Sequence, residues 1–218
     1  MESIKEKIYK TIKGRIINLE LKPGAVLSDR KLAEELNVSR TPVRDAINML
    51  AKENYVTQQN GRGFMVKELS LKDIEDMYIV REALEVSALK SAAFNHSDED
   101  IDRIKKLLGK HAEIIQSYKP QGKFLEDADF HKALAAISNN RHLMEILKSI
   151  FERIRILKNI EPVKLERVKI AHEQHQKIFN YFSEGAYKKA QQTLSKHILD
   201  SKDDILKRLQ SQFTRLYF

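Results

Sequence analysis

The stretch Ser39-Arg40-Thr41-Pro42-Val43-Arg44-Asp45-Ala46-Ile47-Asn48-Met49-Leu50 decides the reading of this chain. Val43, Ala46, Ile47 and Leu50 recur at steps of three and four, the spacing of a helix with one buried face. Ser39 stands where a helix N-cap belongs. Just upstream, Asn37-Val38 reads as a turn, and Ser28 caps a shorter helix whose apolar side is Leu32, Ala33 and Leu36. Farther upstream, Ile4, Ile8, Ile12, Ile16 and Leu19 predict an amphipathic helix over 4–19, stopped by Lys22-Pro23-Gly24. Downstream, Tyr55–Gln59 and Phe64–Lys67 are strand-like runs joined by Asn60-Gly61-Arg62-Gly63, and an Asn-Gly pair there predicts a hairpin. Helix, helix, turn, helix, hairpin is the order of a winged helix-turn-helix.

Beyond Ser70 no strand is predicted. Helical stretches run over 71–94, 98–118, 122–138, 140–159, 163–183 and 186–213, broken at His96-Ser97, Lys119-Pro120, Asn139-Asn140, Glu161-Pro162 and Glu184-Gly185. Six such helices make a bundle. The expected fold is therefore mainly α: a winged helix-turn-helix over 1–69, a short linker at Glu68–Leu71, and an all-helical domain over 70–218.

The 218 residues are enough for two modest cores. With no cysteine, disulfides, thiolate metal sites and cysteine nucleophiles are excluded. No apolar run approaches a membrane span, and the start MESIKEKIYKTIKGRII has acidic residues and no cleavage site; the expected location is the cytoplasm. Of the net charge of +8, residues 1–67 carry +5 (13 Lys+Arg against 8 Asp+Glu) and residues 68–218 carry +3 (26 against 23). Positive charge is thus concentrated in the first third, which suits a nucleic-acid partner.

In a helix-turn-helix the second helix lies in the major groove with its first residues at base edges. Arg40 and Arg44 are one turn apart and share a face, and the arginine fork matches guanine O6 and N7. Ser39 and Thr41, with the backbone N–H groups of the helix start, suit phosphate contact. Arg30 is placed to clamp a neighbouring phosphate, and Arg62, at the hairpin tip, to enter the minor groove.

Four other residues suggest a metal. Asp127 and His131 lie one turn apart on a predicted helix. His175 and His197 lie 9 and 13 residues from the break at Glu184 and, if their helices pack antiparallel, at similar heights. On spacing alone, the same histidines are more readily read as ordinary core or surface residues. His172, one turn before His175, is the rival ligand, while His96, His111 and His142 show no comparable arrangement.

The run Leu21-x-Pro23-Gly24-x-x-Leu27-Ser28, then Leu32-Ala33, Val38 through Arg44, and Gly61-Arg62-Gly63 resembles the GntR family of bacterial regulators. The resemblance implies a homodimer on a short pseudo-palindromic operator in double-stranded DNA. It implies contacts from Arg30, Arg40, Arg44 and Gly61, with Ser39, Thr41, Pro42 and Arg62 beside them. Val80-Arg81-Glu82-Ala83-Leu84-Glu85, Asp127-x-x-Phe130-His131-x-x-Leu134 with Asn140 following, His175-x-x-Ile178-Phe179, and Ala190 through His197-Ile198 resemble the FCD sensor domain of the FadR subgroup. That resemblance implies a metal held by Asp127, His131, His175 and His197. Zinc is the first expectation, with nickel, manganese or iron as alternatives. Open coordination positions would admit a small-molecule effector, an organic acid, with Arg81 at its far end; the other reading of Arg81 is a buried pair with a glutamate. Ser138-Asn139-Asn140 departs from the small-Gly-Asn turn usual there. The expected function is ligand-responsive transcriptional control, most simply repression of a metabolic operon, without enzyme activity. The alternatives are a metal-dependent hydrolase and an architectural DNA-binding protein with a purely structural metal.

Overall fold

The computed structural model describes residues 3–59, 63–117, 128–160 and 163–217, the side chains of 212–217 excepted. The chain divides into two compact units, one of residues 1–70 with Arg155–Ile160 and one of 71–154 with 161–218.

In the first unit, α1 (Ile4–Ile17) starts at a capping box: Ser3 Oγ accepts from the Glu6 N–H, and the Glu6 carboxylate accepts from the Ser3 N–H. It ends two residues short of the expected position because Leu19 takes a left-handed backbone, φ 61°, so Pro23-Gly24 is not what stops it. Strand β1 (Val26–Leu27) leads into α2 (Asp29–Glu35), where Ser28 Oγ caps the Lys31 N–H as expected. Asn37, at φ 52°, makes the turn into α3 (Arg40–Lys52). Asparagine tolerates that conformation, which is why it suits the position.

Strands β2 (Val56–Gln59) and β3 (Gly63–Val66) form the expected hairpin, its tip residues 60–62 lying outside the described residues. Strand β1 adds to the far edge of β3, with Leu27 opposite Phe64, giving the order β1-β3-β2. No strand was expected at Val26-Leu27, because two residues carry no alternation to read. Alternate residues Leu27, Phe64, Val66 and Val56 face inward onto Ile8, Ile12, Ile16, Val43, Ile47 and Leu50, and Ile156 joins this core.

The second unit is all helix among the described residues: α4 (Leu71–Asn95), α5 (Asp98–Gln116), α6 (Ala128–Ala136), α7 (Arg141–Ile160, of which Arg155–Ile160 belongs to the first unit), α8 (Leu165–Ser183) and α9 (Tyr187–Tyr217). Helix α4 packs on α9 and α6, and α8 packs on α9 and α5. Ile74, Tyr78, Leu89, Ile104, Phe130, Leu147, Ile178, Phe182, Leu194 and Ile198 fill the interior. Two turns set how these helices meet. Gly185, at φ 74°, closes α8: the Gly185 N–H donates to Phe182 O and the Ala186 N–H to Tyr181 O. Those paired bonds reverse the chain tightly and lay α9 back along α8. At Asn139, φ 52°, an asparagine does what glycine would do, and the Asn140 side chain caps α7 by accepting from the Leu143 N–H at 3.0 Å. The departure from the usual turn sequence therefore leaves a well-formed turn.

Candidate functional site

The opening of α3 is an exposed face. Arg30, Ser39, Arg40, Thr41 and Arg44 are all exposed and Pro42 is half-buried, while Val43, Ala46 and Ile47 are buried beneath them. Ser39 has the backbone of an N-cap, but its hydroxyl makes no capping hydrogen bond, contrary to the expected cap. The Arg40 guanidinium does not stand alone: Nη2 donates to both oxygens of Asp29 at 3.1 and 3.0 Å. That hydrogen bond holds the Asp29 carboxyl below the ordinary aspartate range, against a smaller upward push from burial. Arg30 is paired loosely with Glu34, one turn along α2, at 3.8 Å. Gly61 and Arg62 lie outside the described residues.

The second candidate is buried. His131 on α6, His175 on α8 and His197 on α9 meet in the interior of the bundle, each no more than 3% exposed. The tight turn at Gly185 brings His175 and His197 to one height, with Nε2 to Nε2 3.1 Å apart. His131 reaches the same point from α6, its Nε2 lying 3.2 Å from that of His197. The three ligand nitrogens are all within 4.8 Å of one another. Phe130, beside His131 in sequence, stacks on the His175 ring at 4.3 Å and fixes its plane.

The outer partners settle which nitrogens point inward. Glu85 on α4 lies 2.5 Å from His131 Nδ1, and a carboxylate can only accept, so that Nδ1 carries the proton. Gln174 donates its amide to Asp200 at 3.3 Å, which turns its oxygen toward His197 Nδ1 at 2.7 Å and assigns the proton there too. With Nδ1 of each ring committed to an outer acceptor, the two Nε2 atoms face each other at 3.2 Å, an approach that a shared cation or a proton between them would stabilise. A metal fits this spacing. At ~2.0–2.1 Å per bond, ligand nitrogens stand about 2.9 Å apart at right angles and about 3.4 Å apart in a tetrahedron, and the observed 3.1 and 3.2 Å fall between. Orientation of ligand imidazoles by outer carboxylate and amide groups is what metal sites require.

Arg81 is 1% exposed and donates from Nε to Glu85 at 2.5 Å, between the Tyr78 and Phe151 rings. Burial pushes the Glu85 carboxyl up, but Arg81 and His131 outweigh it and hold Glu85 ionised, below its ordinary value. Asp127 lies outside the described residues. His172 is not part of the cluster: both its ring nitrogens are buried without a hydrogen-bond partner, and burial lowers its pKa. Gln174 carries no signal in the sequence, since nothing about a glutamine beside His175 says which ring it will meet. Glu85 is visible there only as a possible arginine partner.

The fold and the two sites define a helix-turn-helix regulator carrying a helical sensor-type domain, and comparison with known proteins agrees. Residues 4–66 match the bacterial regulatory proteins of the gntR family, and residues 76–200 match the FCD domain. The Nta operon transcriptional regulator of Aminobacter aminovorans is 29% identical over 202 residues, covering 92% of this chain and 94% of its own. The HTH-type transcriptional regulator LutR of Bacillus subtilis is 31% identical over 211 residues, covering 86% and 94%. Others among the relatives are named repressors. The solved structure of McbR/YncC from E. coli shares the fold, with a TM-score of 0.76 over 96% of this chain and all of that one, at 20% identity. The chain belongs to the GntR family of bacterial transcriptional regulators, with an FCD domain after its DNA-binding domain. The family consists of regulators rather than enzymes, which sets aside the hydrolase alternative. No helix among the described residues is long and apolar enough to cross a membrane.

Proposed function

We propose that this protein is a cytoplasmic, metal-loaded repressor that binds a pseudo-palindromic operator as a homodimer and is switched by a small organic acid. Residues 1–69 form the reading head and residues 70–218 the sensing and dimerisation domain. Arg40 and Arg44 read base edges. Arg30, Ser39, Thr41 and Pro42 lie along the phosphates, and Gly61 and Arg62 bring the hairpin tip to the adjacent groove. His131, His175 and His197, with Asp127, hold one divalent transition metal, zinc first among the candidates. A metal held there would supply a Lewis-acidic position for the effector's carboxylate, and Arg81, already paired with Glu85, would act on the acid through its charge.

The observation that carries the reading is the convergence of three buried histidines, with the Nε2 atoms of His131 and His197 turned toward each other by Glu85 and Gln174. A regulator responds to an effector only through a difference in affinity between its DNA-competent and DNA-incompetent states. The test is therefore a binding measurement. An operator is selected from random duplexes with the full-length protein, and its affinity is followed by fluorescence anisotropy with and without metal across a panel of small carboxylic acids. At least one acid is expected to shift affinity about 5- to 150-fold in the metal-loaded wild type and not in His175→Ala. Operator binding indifferent to metal and to every acid would instead leave an architectural protein.

A further inference from the structure

The exposed face of α3 continues past the residues assigned to DNA above. Thr41, Asp45, Asn48 and Lys52 are all exposed, and at ~100° per residue they fall within about 60° of one another around the helix. Arg44 borders this stripe one turn before Asn48. The second half of the face is also one wall of an open groove. Helix α1 packs on α3, and the groove between them is lined by Lys5 from α1 and by Asp45, Asn48, Met49, Ala51 and Lys52 from α3.

Asn48 is the residue here that folding does not account for. Elsewhere the asparagines have local work: Asn140 caps α7, Asn159 donates to Ile17 O, and Asn37, Asn54 and Asn139 take left-handed turns. Asn48 instead stands in the interior of a 13-residue helix, where asparagine is a poor helix former. Its side chain makes no hydrogen bond among the described residues. A free carboxamide carries a donor and an acceptor side by side, the pattern that matches N6 and N7 of adenine in the major groove.

The charges along the groove say which end meets what. Asp45 offers only acceptors, so it repels a phosphate but tolerates the amino group of cytosine. Lys5 and Lys52 are exposed at the other end and suit the backbone. Helix α3 is about 20 Å long and the major groove about 12 Å wide, so a helix whose first turn meets base edges has length enough to bring its last turn to the phosphates. An acidic peptide lying in the groove would run against Asp45.

We infer that the groove between α1 and the second half of α3 extends the DNA interface, with Asn48 reading an adenine and Lys5 and Lys52 holding the phosphates beyond it. The inference rests on the helix-turn-helix reading above and adds to it a specificity-determining residue and a second set of backbone contacts.

The test uses the operator selected from random duplexes by the full-length protein, with circular dichroism confirming that each variant is folded. Each A·T pair of the operator is changed in turn to G·C, and affinity is followed by fluorescence anisotropy. At one A·T position per half-site the wild type should lose about 5- to 150-fold, while Asn48→Ala should bind the original and changed duplexes within about twofold of each other. Lys5→Gln and Lys52→Gln should weaken operator and random duplex alike, and each should lower the slope of log affinity against log salt by about 1 per chain. A selected operator with no position that Asn48→Ala equalises overturns the base-reading role. Salt slopes unchanged in both lysine variants overturn the backbone contacts. Either failure leaves the helix-turn-helix reading in place, whereas a wild type that selects no operator at all overturns that reading as well.

Discussion

Two arginine–carboxylate pairs, one in each unit, show what surroundings do to the same chemistry. Arg40 meets Asp29 at 3.0 Å with side chains 63% and 22% exposed, whereas Arg81 meets Glu85 at 2.5 Å with side chains 1% and 2% exposed. On the exposed face at the start of α3, water and salt screen the pair, so it adds little to stability and opens at small cost. In the proposed DNA complex Arg40 would exchange Asp29 for a phosphate or a base edge. Inside the bundle, taking both ions out of water costs several kcal/mol, offset only by their mutual attraction and by the hydrogen bond that Glu85 accepts from His131. That pair is suited to holding an imidazole still. One pair is arranged to open, the other to stay closed.

The contrast can be broken most directly from the inside. Glu85→Ala removes the carboxylate from Arg81 and from His131 together and should cost about 3–5 kcal/mol in denaturant unfolding. A loss below about 1 kcal/mol would mean the buried pair behaves like a surface one. The next effect belongs to Arg44, exposed on the same face as Arg40. Arg44→Ala should cost about 1–3 kcal/mol on the selected operator and much less on random duplex. An equal loss on both would make Arg44 a phosphate contact. Asp29→Asn should change folding stability by less than about 1 kcal/mol. It should also strengthen binding to random duplex a few-fold, since a negative charge beside the phosphates is removed. Unaltered random-duplex binding would show that Asp29 does not tune Arg40.

The smallest effect is a titration. Asp29 should ionise below the ordinary aspartate value of ~3.9, followed by carbon NMR of its carboxyl, and Arg40→Ala should return it to the ordinary range. Because the folded value is depressed, the stability the pair contributes is present above the ordinary aspartate pKa. It is lost as pH falls through the folded value. An Asp29 titration unmoved by Arg40→Ala would contradict the pairing.

The reading head was legible because its signals are local. Val43, Ala46, Ile47 and Leu50 announce α3 within four turns, and Ser28 caps α2 from its own sequence. What escaped was set by distant partners: β1 is two residues long and exists because β3 offers its edge, and α1 stops where Leu19 turns left-handed, not at Pro23. The histidine centre divides the same way. His175 and His197 could be paired by counting from Glu184-Gly185, since a tight turn makes sequence distance a measure of height. His131 shares no such turn with them; its spacing from Asp127 marks it as a candidate ligand, and the family resemblance joined it to the set. Glu85 and Gln174, which decide the tautomers, come from α4 and α8 by packing that no spacing records.

The central claim is that the histidine centre holds a metal, and the most direct measurement is metal content per chain by mass spectrometry. The protein is purified without chelator or immobilised nickel, alongside His131→Ala and His175→Ala. The account predicts about one divalent transition-metal ion per wild-type chain, lost in both variants while their helical content is retained. Wild-type protein that carries no ion and takes up neither zinc nor nickel on incubation would contradict it.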